Sequence, residues 1–303
     1  MIVDFIRVHL KAGKGGGGGF SFARYRNKLV GNGGDGGKGG DIIFKVNLNL
    51  YDLSKFKYRR KFVAQDGERG SSSLKKGKDA PPLFIDVPLG TLIKDTQGRI
   101  VADLASSSAT FLAVRGGKPG KGNYKRKSAE EGKEGQQREL ILDYRIPSDI
   151  AILGFPNVGK TSLLNSLSGK EFKVGDWPFT TVHCQWGVWE YKFRQFTILD
   201  TPPLKKKLTS GEGEDFLKHL FRVKLILIVT DNFKDGKKEV EAVRERVVKF
   251  EPRYRDKKFF YLLNKIDKIN RDFKIRGFLP ISAKKGWGID KLKERLYEAL
   301  SAN

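Results

Sequence analysis

The stretch that most constrains the fold of this chain lies at residues 150–164. Four apolar residues, Ile-Ala-Ile-Leu, predict a buried strand, and a glycine-bounded loop separates this strand from Lys160 and Thr161. Those two residues begin an apolar-periodic segment that predicts a helix. A strand, a loop with the spacing G-x-x-x-x-G-K-T and a helix form the arrangement that surrounds a polyphosphate. The sequence therefore predicts a phosphate-binding α/β domain.

Each part of this loop offers a specific contact to phosphate. Backbone N–H groups of the loop and of the helix N-terminus attract anionic oxygens. The ammonium of Lys160 adds positive charge, and the hydroxyl of Thr161 can ligate Mg²⁺. We assign nucleotide contacts to six consecutive residues: Asn157, Val158, Gly159, Lys160, Thr161 and Ser162. The alternative is a glycine turn before an ordinary helix, and motifs elsewhere in the chain have to decide between the two.

Charge is the second constraint on function. The chain has 59 Lys and Arg residues against 35 Asp and Glu, which gives a formal net charge of +24. A protein this basic favours a polyanionic partner, and nucleic acid is the first candidate. Solubilising surface charge is the alternative. One cysteine, Cys184, excludes an internal disulfide framework, and only three histidines accompany it, which argues against a metal cluster.

The sequence predicts neither a membrane-spanning helix nor a targeting peptide. No apolar run approaches the roughly 20 residues that a membrane-spanning helix requires. Met1 leads directly into an alternating apolar run that predicts a strand, so we expect no secretory or transit peptide.

The first half of the chain alternates glycine clusters with short β-type runs. The clusters lie at residues 13–19, 31–40, 67–77 and 116–122, and the predicted strands at residues 41–46, 83–87, 89–93 and 111–114. A flexible linker is the usual interpretation of glycine-rich sequence, but a linker does not return to a strand after every cluster. Glycine runs can instead form extended polyproline-II helices that pack closely because no side chain intervenes. We predict a compact glycine-rich β domain over residues 1–147.

The segments that project between these clusters carry cations, in places beside a tyrosine. Such a mixture suits phosphate contacts combined with base stacking, although solvated loop tips are the alternative. The candidate RNA contacts are Arg24, Arg26, Lys28, Arg69, Lys75, Lys76, Lys121, Asn123, Lys125 and Arg126.

Several stretches of this half resemble the amino-terminal domain of the Obg family of GTPases. The matching residues are 7–13 (Arg-Val-His-Leu-Lys-Ala-Gly), Ser21 with Phe22, 34–41 (Gly-Asp-Gly-Gly-Lys-Gly-Gly-Asp), 87–91 (Val-Pro-Leu-Gly-Thr), and Gly116 and Gly117 with Gly122 and Asn123. The resemblance implies an Obg-type β domain, in which polyproline-II helices lie over a small β-barrel and loops reach into the large ribosomal subunit. It also implies that residues 148–303 form an α/β P-loop GTPase domain, with a mostly parallel sheet flanked by helices.

A second motif with its own chemistry follows a predicted strand at residues 259–263. This strand ends at Asn264, Lys265 and, after one more residue, Asp267. The carboxylate of Asp267 can accept two hydrogen bonds from the ring N–H and amine of guanine, which adenine does not offer. A site built around such acceptors rejects the wrong base, because unpaired buried polar groups are costly. GTP and GDP are therefore favoured, and a P-loop kinase or an ATPase is the less favoured alternative.

The strand and loop at residues 279–284 complete the predicted guanine site. The residues assigned to it are Asn264, Lys265, Asp267, Ser282, Ala283 and Lys284.

Mg²⁺ and the γ-phosphate have their own candidate residues. Asp200 ends a predicted strand forty residues after Lys160, a position that suits support of Mg²⁺. A threonine in a loop near residue 180 can close on Mg²⁺ and the γ-phosphate, and the resemblance to Obg sequences assigns this role to Thr181. We therefore predict Lys160, Thr181 and Asp200 as catalytic residues, and Thr161, Thr181 and Asp200 as metal ligands.

One departure from the family pattern bears on hydrolysis. Obg-like sequences have Asp-x-Pro-Gly where this chain has residues 200–203, and the N–H of their glycine bonds the γ-phosphate. Pro203 has no N–H to donate. We expect a GTPase of weak activity, and the alternative is a GTP-dependent rRNA-binding protein with little or no hydrolysis. His219 lies in a predicted helix and is not assigned to catalysis.

The resemblance also implies further ligands and partners. In similar GTPases Asn157 can hold K⁺ against the phosphates, although a plain turn residue is an equal alternative. The expected partners are rRNA of the large ribosomal subunit and neighbouring ribosomal proteins or assembly factors, with the chain acting as a monomer. High basicity and the altered Asp-x-Pro-Gly pattern favour an organellar member of the family in the mitochondrial matrix. The bacterial cytoplasm or another organelle is the alternative.

Overall fold

The computed structural model describes residues 3–168, 185–205, 214–269 and 275–301. The chain divides between Tyr144 and Arg145 into two compact units, Val3–Tyr144 and Arg145–Asn303. The predicted boundary, between residues 147 and 148, lies a few residues beyond this division.

The first unit is a β structure with glycine-rich connections. Its strands are β1 (Phe5–Lys11), β2 (Phe22–Tyr25), β3 (Lys28–Gly31), β4 (Ile42–Val46), β5 (Lys61–Val63), β6 (Leu83–Val87), β7 (Thr91–Lys94), β8 (Ile100–Leu104), β9 (Thr110–Val114) and β10 (Gln137–Tyr144), with a 3₁₀ helix at Ser54–Phe56. They form a five-stranded sheet in the order β5-β1-β10-β7-β8, a three-stranded sheet β6-β4-β9 and the hairpin β2-β3. Strand β1 alternates exposed and buried residues along its length, because only one of its faces packs on the core.

The glycine-rich segments of this unit pack backbone to backbone. The N–H of Gly16 donates to the carbonyl of Gly37 (2.8 Å), that of Gly36 to Gly120 (2.9 Å) and that of Gly120 to Gly16 (2.9 Å). A Cβ atom on Gly16 would lie 1.9 Å from the carbonyl oxygen of Glu68. Only a residue without a side chain fits such an approach. This packing agrees with extended segments of the polyproline-II type and rules out the linker alternative.

The second unit is an α/β structure. Its strands and helices are β11 (Ile150–Leu153), α1 (Lys160–Ser168), β12 (Gln185–Tyr191), β13 (Arg194–Asp200), β14 (Leu225–Thr230), α2 (Gly236–Phe250), β15 (Lys258–Leu263), β16 (Leu279–Pro280) and α3 (Ile289–Ser301). The helix predicted around residue 216 is a 3₁₀ helix, Asp215–Arg222, and shorter 3₁₀ helices lie at Pro252–Asp256 and Ile266–Lys268.

The sheet of this unit has the order β12-β13-β11-β14-β15-β16. All neighbouring pairs are parallel except β12 with β13. One apolar cluster packs α1 and α3 on one face of the sheet, and a second packs α2 on the other. The predicted mostly parallel sheet flanked by helices is confirmed.

This topology places the ends of β11, β13, β14 and β15 at one edge of the sheet. Loops at the carboxyl edge of a parallel sheet are where such folds bind their ligands. Within the described residues, no helix combines the length and the apolar character needed to cross a membrane.

Candidate nucleotide-binding site and basic surface

A cavity of about 520 Å³ opens at the carboxyl edge of the second unit's sheet. This volume falls within the range of roughly 300–1,000 Å³ that is usual for ligand pockets. Its described lining residues are Pro156, Asn157, Gly159, Lys160, Thr161, Ser162, Asp200, Thr201, Pro202, Pro203 and Lys265. The structure therefore brings the predicted phosphate loop, Asp200 and Lys265 together around one cavity.

The phosphate loop is held in a defined conformation. Gly159 has φ = +92°, in the left-handed region, and an added Cβ atom would lie 2.4 Å from Nδ2 of Asn264, so glycine is required there. The ammonium of Lys160 is largely buried and donates to the carbonyl oxygens of Gly154 (3.2 Å) and Phe155 (3.0 Å). Burial lowers the pKa of Lys160, and the charge of Asp200 acts in the opposite direction. The loop thus keeps a desolvated cation among its own carbonyl groups.

Thr161 and Asp200 form the part of the site that fits a metal ion. The Thr161 hydroxyl donates to Oδ2 of Asp200 at 2.7 Å. Oδ1 of Asp200 is buried and has no hydrogen-bond partner among the described residues. Burial raises the pKa of Asp200, while the Thr161 hydrogen bond and the Lys160 charge lower it.

Hydroxyl and carboxylate oxygens are ligands that Mg²⁺ prefers, and Mg²⁺ is commonly held by one or two protein groups together with phosphates. The described residues contain no cluster of three or more His, Cys, Asp or Glu side chains suited to a metal ion. A hydroxyl and one orphaned carboxylate oxygen therefore fit Mg²⁺ brought by a nucleotide. Thr181, the third predicted metal ligand, lies outside the described residues.

Asn264 connects the phosphate loop to the predicted guanine site. Its side chain is 2% exposed. Its Nδ2 donates to the carbonyl of Val158 at 2.9 Å, and its Oδ1 accepts from the N–H of Ala283 at 3.0 Å. The sequence places Asn264 in the motif, but its role as a link between two loops emerges only from the structure.

Lys265 and Asp267 occupy different positions around this link. The Lys265 ammonium donates to the Asn157 carbonyl (2.5 Å) and pairs with Asp231 (2.6 Å). Asp267 accepts a hydrogen bond from the Ser282 hydroxyl, which lowers the pKa of its carboxyl group. The sequence motifs did not single out Asp231, although its place directly after β14 was a usable signal, because polar residues at that edge line the site.

Pro203 lines the same cavity as Lys160 and Asp200. The residue that lacks an N–H group therefore lies beside the groups that fit phosphate and metal. Lys205 is described and exposed, whereas the two lysines that follow it lie outside the described residues.

Most of the predicted RNA contacts lie on the surface of the first unit. The exposed residues are Arg24, Arg26, Lys28, Arg69, Lys75, Lys76, Lys121, Lys125 and Arg126. The hairpin β2-β3 is exposed along both strands, and Tyr25 on it has the Arg26 guanidinium 5.5 Å from its ring centroid. Among the described residues, two of these cations form ion pairs, Lys76 with Asp79 (3.1 Å) and Arg126 with Glu130.

Asn123 is the one residue among the predicted RNA contacts that the structure places in the interior. It is fully buried, and its Oδ1 accepts from the N–H groups of Gly33 (2.8 Å) and Ser21 (3.4 Å). A side chain enclosed in this way cannot reach an RNA molecule. Asn123 anchors glycine-rich segments to each other, and the prediction that it contacts RNA is wrong.

Comparison with known proteins follows the same division of the chain. The family described as GTP1/OBG matches residues 3–146, and the family described as 50S ribosome-binding GTPase matches residues 149–265. GTPase Obg of Thermoanaerobacter sp. (strain X514) is 37% identical over 330 residues, which cover 100% of this chain and 78% of that protein. GTPase Obg of Aquifex aeolicus is 35% identical over 325 residues, 98% of this chain and 95% of that protein.

The chain belongs to the Obg family of GTPases. Family membership supports GTP and GDP as its nucleotides, Mg²⁺ as the metal that typically accompanies them, and GTP hydrolysis as the reaction. Among solved structures, the G domain of the T. maritima FeoB iron transporter is 27% identical, covers 50% of this chain and 98% of that one, and has a TM-score of 0.38.

Proposed function

We propose that this Obg GTPase is an assembly factor for the large ribosomal subunit, which docks on rRNA through the exposed cations of its first unit when GTP is bound. The observation that carries the proposal is the hairpin β2-β3, which presents Arg24, Arg26 and Lys28 beside Tyr25 with both strands exposed. Cations of this kind contact phosphates, and a tyrosine ring stacks on an unpaired base. The match of the second unit to a family of 50S ribosome-binding GTPases supports the same partner.

The cavity of the second unit supplies the nucleotide dependence. The Lys160 ammonium, fixed by two carbonyl groups, is placed to balance negative charge on the phosphate oxygens as it develops. Thr161 and Asp200, with Thr181 as the proposed third ligand, would hold Mg²⁺, which supplies charge neutralisation when it is bound. Asn157, whose carbonyl faces Lys265, is the proposed K⁺ contact.

We propose that hydrolysis is slow in the free protein. Pro203 at the cavity has no N–H to offer a γ-phosphate. The described lining residues include no glutamine, glutamate or histidine that would orient a water molecule. The same observation favours the second candidate function, a GTP-dependent rRNA-binding protein that scarcely hydrolyses its nucleotide.

Single-turnover hydrolysis with and without large ribosomal subunits separates the two. The GTPase proposal expects slow phosphate release from the free protein and faster release on subunits, with Pro203→Gly raising the intrinsic rate. Phosphate release that subunits leave unchanged would overturn the enzyme function and favour the non-hydrolysing alternative. A melting temperature raised by ADP as much as by GDP would contradict guanine specificity.

The RNA-docking part has a separate test in the salt dependence of affinity. For single-stranded RNA, log affinity decreases with log salt, and the steepness of this decrease is reduced by about 0.7 for each phosphate that the protein no longer neutralises. The combined change Arg24→Gln, Arg26→Gln and Lys28→Gln should therefore make the salt dependence shallower, reducing the magnitude of the slope by about 2. The matched control removes three exposed cations from α2: Lys237→Gln, Lys238→Gln and Lys249→Gln. An equal effect of both triple variants would contradict docking through the hairpin.

A further inference from the structure

A separate concentration of cations lies on the first unit at residues 55–61, Lys-Phe-Lys-Tyr-Arg-Arg-Lys, here named the basic segment 55–61. It begins within the 3₁₀ helix Ser54–Phe56 and ends at the first residue of β5. Five of its seven residues are Lys or Arg, and all five are exposed. Tyr58, between them, is 89% exposed, with the Lys57 ammonium 5.5 Å from its ring centroid. None of the candidate RNA contacts named so far lies on this segment.

A cavity of about 260 Å³ opens beside the basic segment. Its lining residues are Lys55, Phe56, Arg59, Phe62, Leu83, Phe84, Ile85 and Asp86. Phe56, Phe62 and Ile85 are buried and form an apolar floor, whereas Phe84 is 54% exposed at the rim. The volume lies just below the roughly 300 Å³ at which pockets for drug-sized ligands begin, so the cavity suits one small ring system.

The polar groups of this cavity are of both signs. The Lys55 ammonium lies 5.1 Å from the ring centroid of Phe56, and the Arg59 guanidinium lies 5.2 Å from that of Phe62. Partial burial of its ammonium beside the cavity lowers the pKa of Lys55, although the residue as a whole is exposed, and the charge of Asp86 acts in the opposite direction. Oδ2 of Asp86 accepts one long hydrogen bond, from Asn47 at 3.4 Å. In the described parts of the chain no ion pair joins Asp86 to either cation, so its carboxylate has capacity to accept from a ligand.

The combination of groups discriminates between classes of ligand. A carboxylate at the cavity repels an acidic peptide, although the surrounding lysines and arginines would attract one. A nucleobase in RNA satisfies every group at once. Its ring packs against Phe84, its N–H groups donate to Asp86, and the phosphates on either side meet the cations of the basic segment.

We propose that this cavity receives one unpaired base of an RNA strand, while the flanking phosphates lie along the basic segment 55–61. Guanine fits best, because it offers two adjacent N–H donors to a carboxylate and uracil offers one. The contact is distinct from the hairpin β2-β3, and it rests on the proposed function only in taking RNA as the ligand.

Fluorescence anisotropy with labelled nonamers tests this directly. The full chain is titrated with UUUUXUUUU, where X is guanine or uracil. A bidentate contact to a base discriminates by about 1–3 kcal/mol, so the guanine oligonucleotide should bind at least about fivefold more tightly. Asp86→Asn should abolish the preference, because an amide places a donor against the guanine N–H groups. Phe84→Ser should weaken both oligonucleotides about fivefold or more, since stacking on one base contributes a similar energy.

Matched variants separate this site from the hairpin. Arg26→Gln and Tyr25→Ala, on the hairpin, should leave the ratio of the affinities for the guanine and uracil oligonucleotides unchanged. Phe84 is exposed, and within the described residues Asp86 accepts only one long hydrogen bond, so their variants should keep the wild-type melting temperature. With 6-thioguanine at X, photocrosslinking should attach the RNA to peptides that contain the basic segment or β6.

Three results would overturn the proposal. Equal affinity of the wild type for the two oligonucleotides is the first, and a guanine preference that survives in Asp86→Asn is the second. The third is displacement of the oligonucleotide by an acidic peptide, with stronger displacement from Asp86→Asn than from the wild type. That result would indicate that the partner is a protein. If the hairpin variants alone lose RNA affinity, the base-binding cavity fails while docking through the hairpin stands.

Discussion

Replacing Asn264 by alanine removes the side chain that ties the phosphate loop to the guanine site. The change deletes two hydrogen bonds, to Val158 and Ala283, whose residues are almost fully buried. A buried backbone group left without a partner costs about 1–3 kcal/mol. The two groups together should lower the free energy of unfolding of the second unit by about 2–4 kcal/mol, since some relaxation is expected around a smaller side chain.

Tryptophan fluorescence in urea measures this change in the second unit alone. All four tryptophans, at positions 177, 186, 189 and 287, belong to that unit, and the first unit has none. Affinity for a fluorescent GDP analogue is the second readout. Because the two loops lose their common anchor, we expect GDP affinity per folded molecule to fall at least tenfold, which corresponds to about 1.4 kcal/mol.

Asn232→Ala provides the control. Asn232 accepts from the N–H groups of Lys234 (3.1 Å) and Asp235 (2.9 Å) at the start of α2, outside the cavity. Its Nδ2 also donates to Oε1 of Glu239 (3.0 Å). Each lost hydrogen bond costs about 0.5–1.5 kcal/mol, and GDP affinity should remain at the wild-type value. If folded Asn264→Ala bound GDP as tightly as the wild type, the role of this side chain as a link would be refuted.

Three further changes test other parts of the structure. Gly16→Ala should prevent the first unit from folding, because its Cβ atom would overlap a backbone carbonyl. Gly17→Ala should be tolerated, because the atoms nearest to its Cβ belong to the flexible side chain of Glu131 (3.2 Å). Circular dichroism and limited proteolysis report the outcome. Asp200→Asn should raise the melting temperature of the nucleotide-free protein at pH 7, because burial raises the pKa of Asp200 and its ionised form is destabilising. Phe193→Gly should raise the free energy of unfolding, measured in urea, by about 0.5–1 kcal/mol. Phe193 is fully exposed and has φ = +61°. This left-handed conformation costs a residue with a side chain about 1–2 kcal/mol.

Each of these has a contradicting result. Equal loss of structure in the Gly16 and Gly17 variants would show that crowding of the backbone is not the cause. For Asp200, the stability of the protonated carboxyl group is present at low pH and is lost as pH rises from its unfolded to its folded pKa. The difference in melting temperature from the Asn variant should therefore disappear in acid, and a constant difference at all pH values would refute the explanation. A lower unfolding free energy for Phe193→Gly would show that its side chain makes a stabilising contact.

The sequence predicts the second unit well because its motifs have strict spacing. Apolar runs without alternation identify β11 and β14, which are buried along their whole length, and β15, which is partly or fully buried after Lys258. Strands buried on both faces need apolar side chains throughout. Asp200 is the last residue of β13 and Asn264 directly follows β15, so their place at the sheet edge follows from the topology. Asn264 as a link, and the pairing of Lys265 with Asp231, depend on how neighbouring loops fold back, which spacing alone does not encode.

In the first unit the sequence predicts the class of structure better than the details. Glycine clusters between strands indicate close packing of extended segments, but which segments touch depends on contacts between residues far apart in the chain. Gly16 and Gly120 illustrate this, since each bonds a distant cluster. Asn123 misled the prediction because its neighbours are exposed cations while its own side chain points inward. The basic segment 55–61 has no glycine and lies between two glycine clusters, so the pattern that identifies this domain does not include it.

Association with large ribosomal subunits in defined nucleotide states tests GTP-dependent docking most directly. The full chain is sedimented with purified large subunits from the same organism in the presence of a non-hydrolysable GTP analogue, GDP or an ATP analogue, at physiological salt. We expect the chain to sediment with the subunits in the GTP analogue, to be released in GDP and not to respond to the ATP analogue. Equal association in all three conditions, or no association with the GTP analogue, would contradict a GTP-dependent factor of the large subunit.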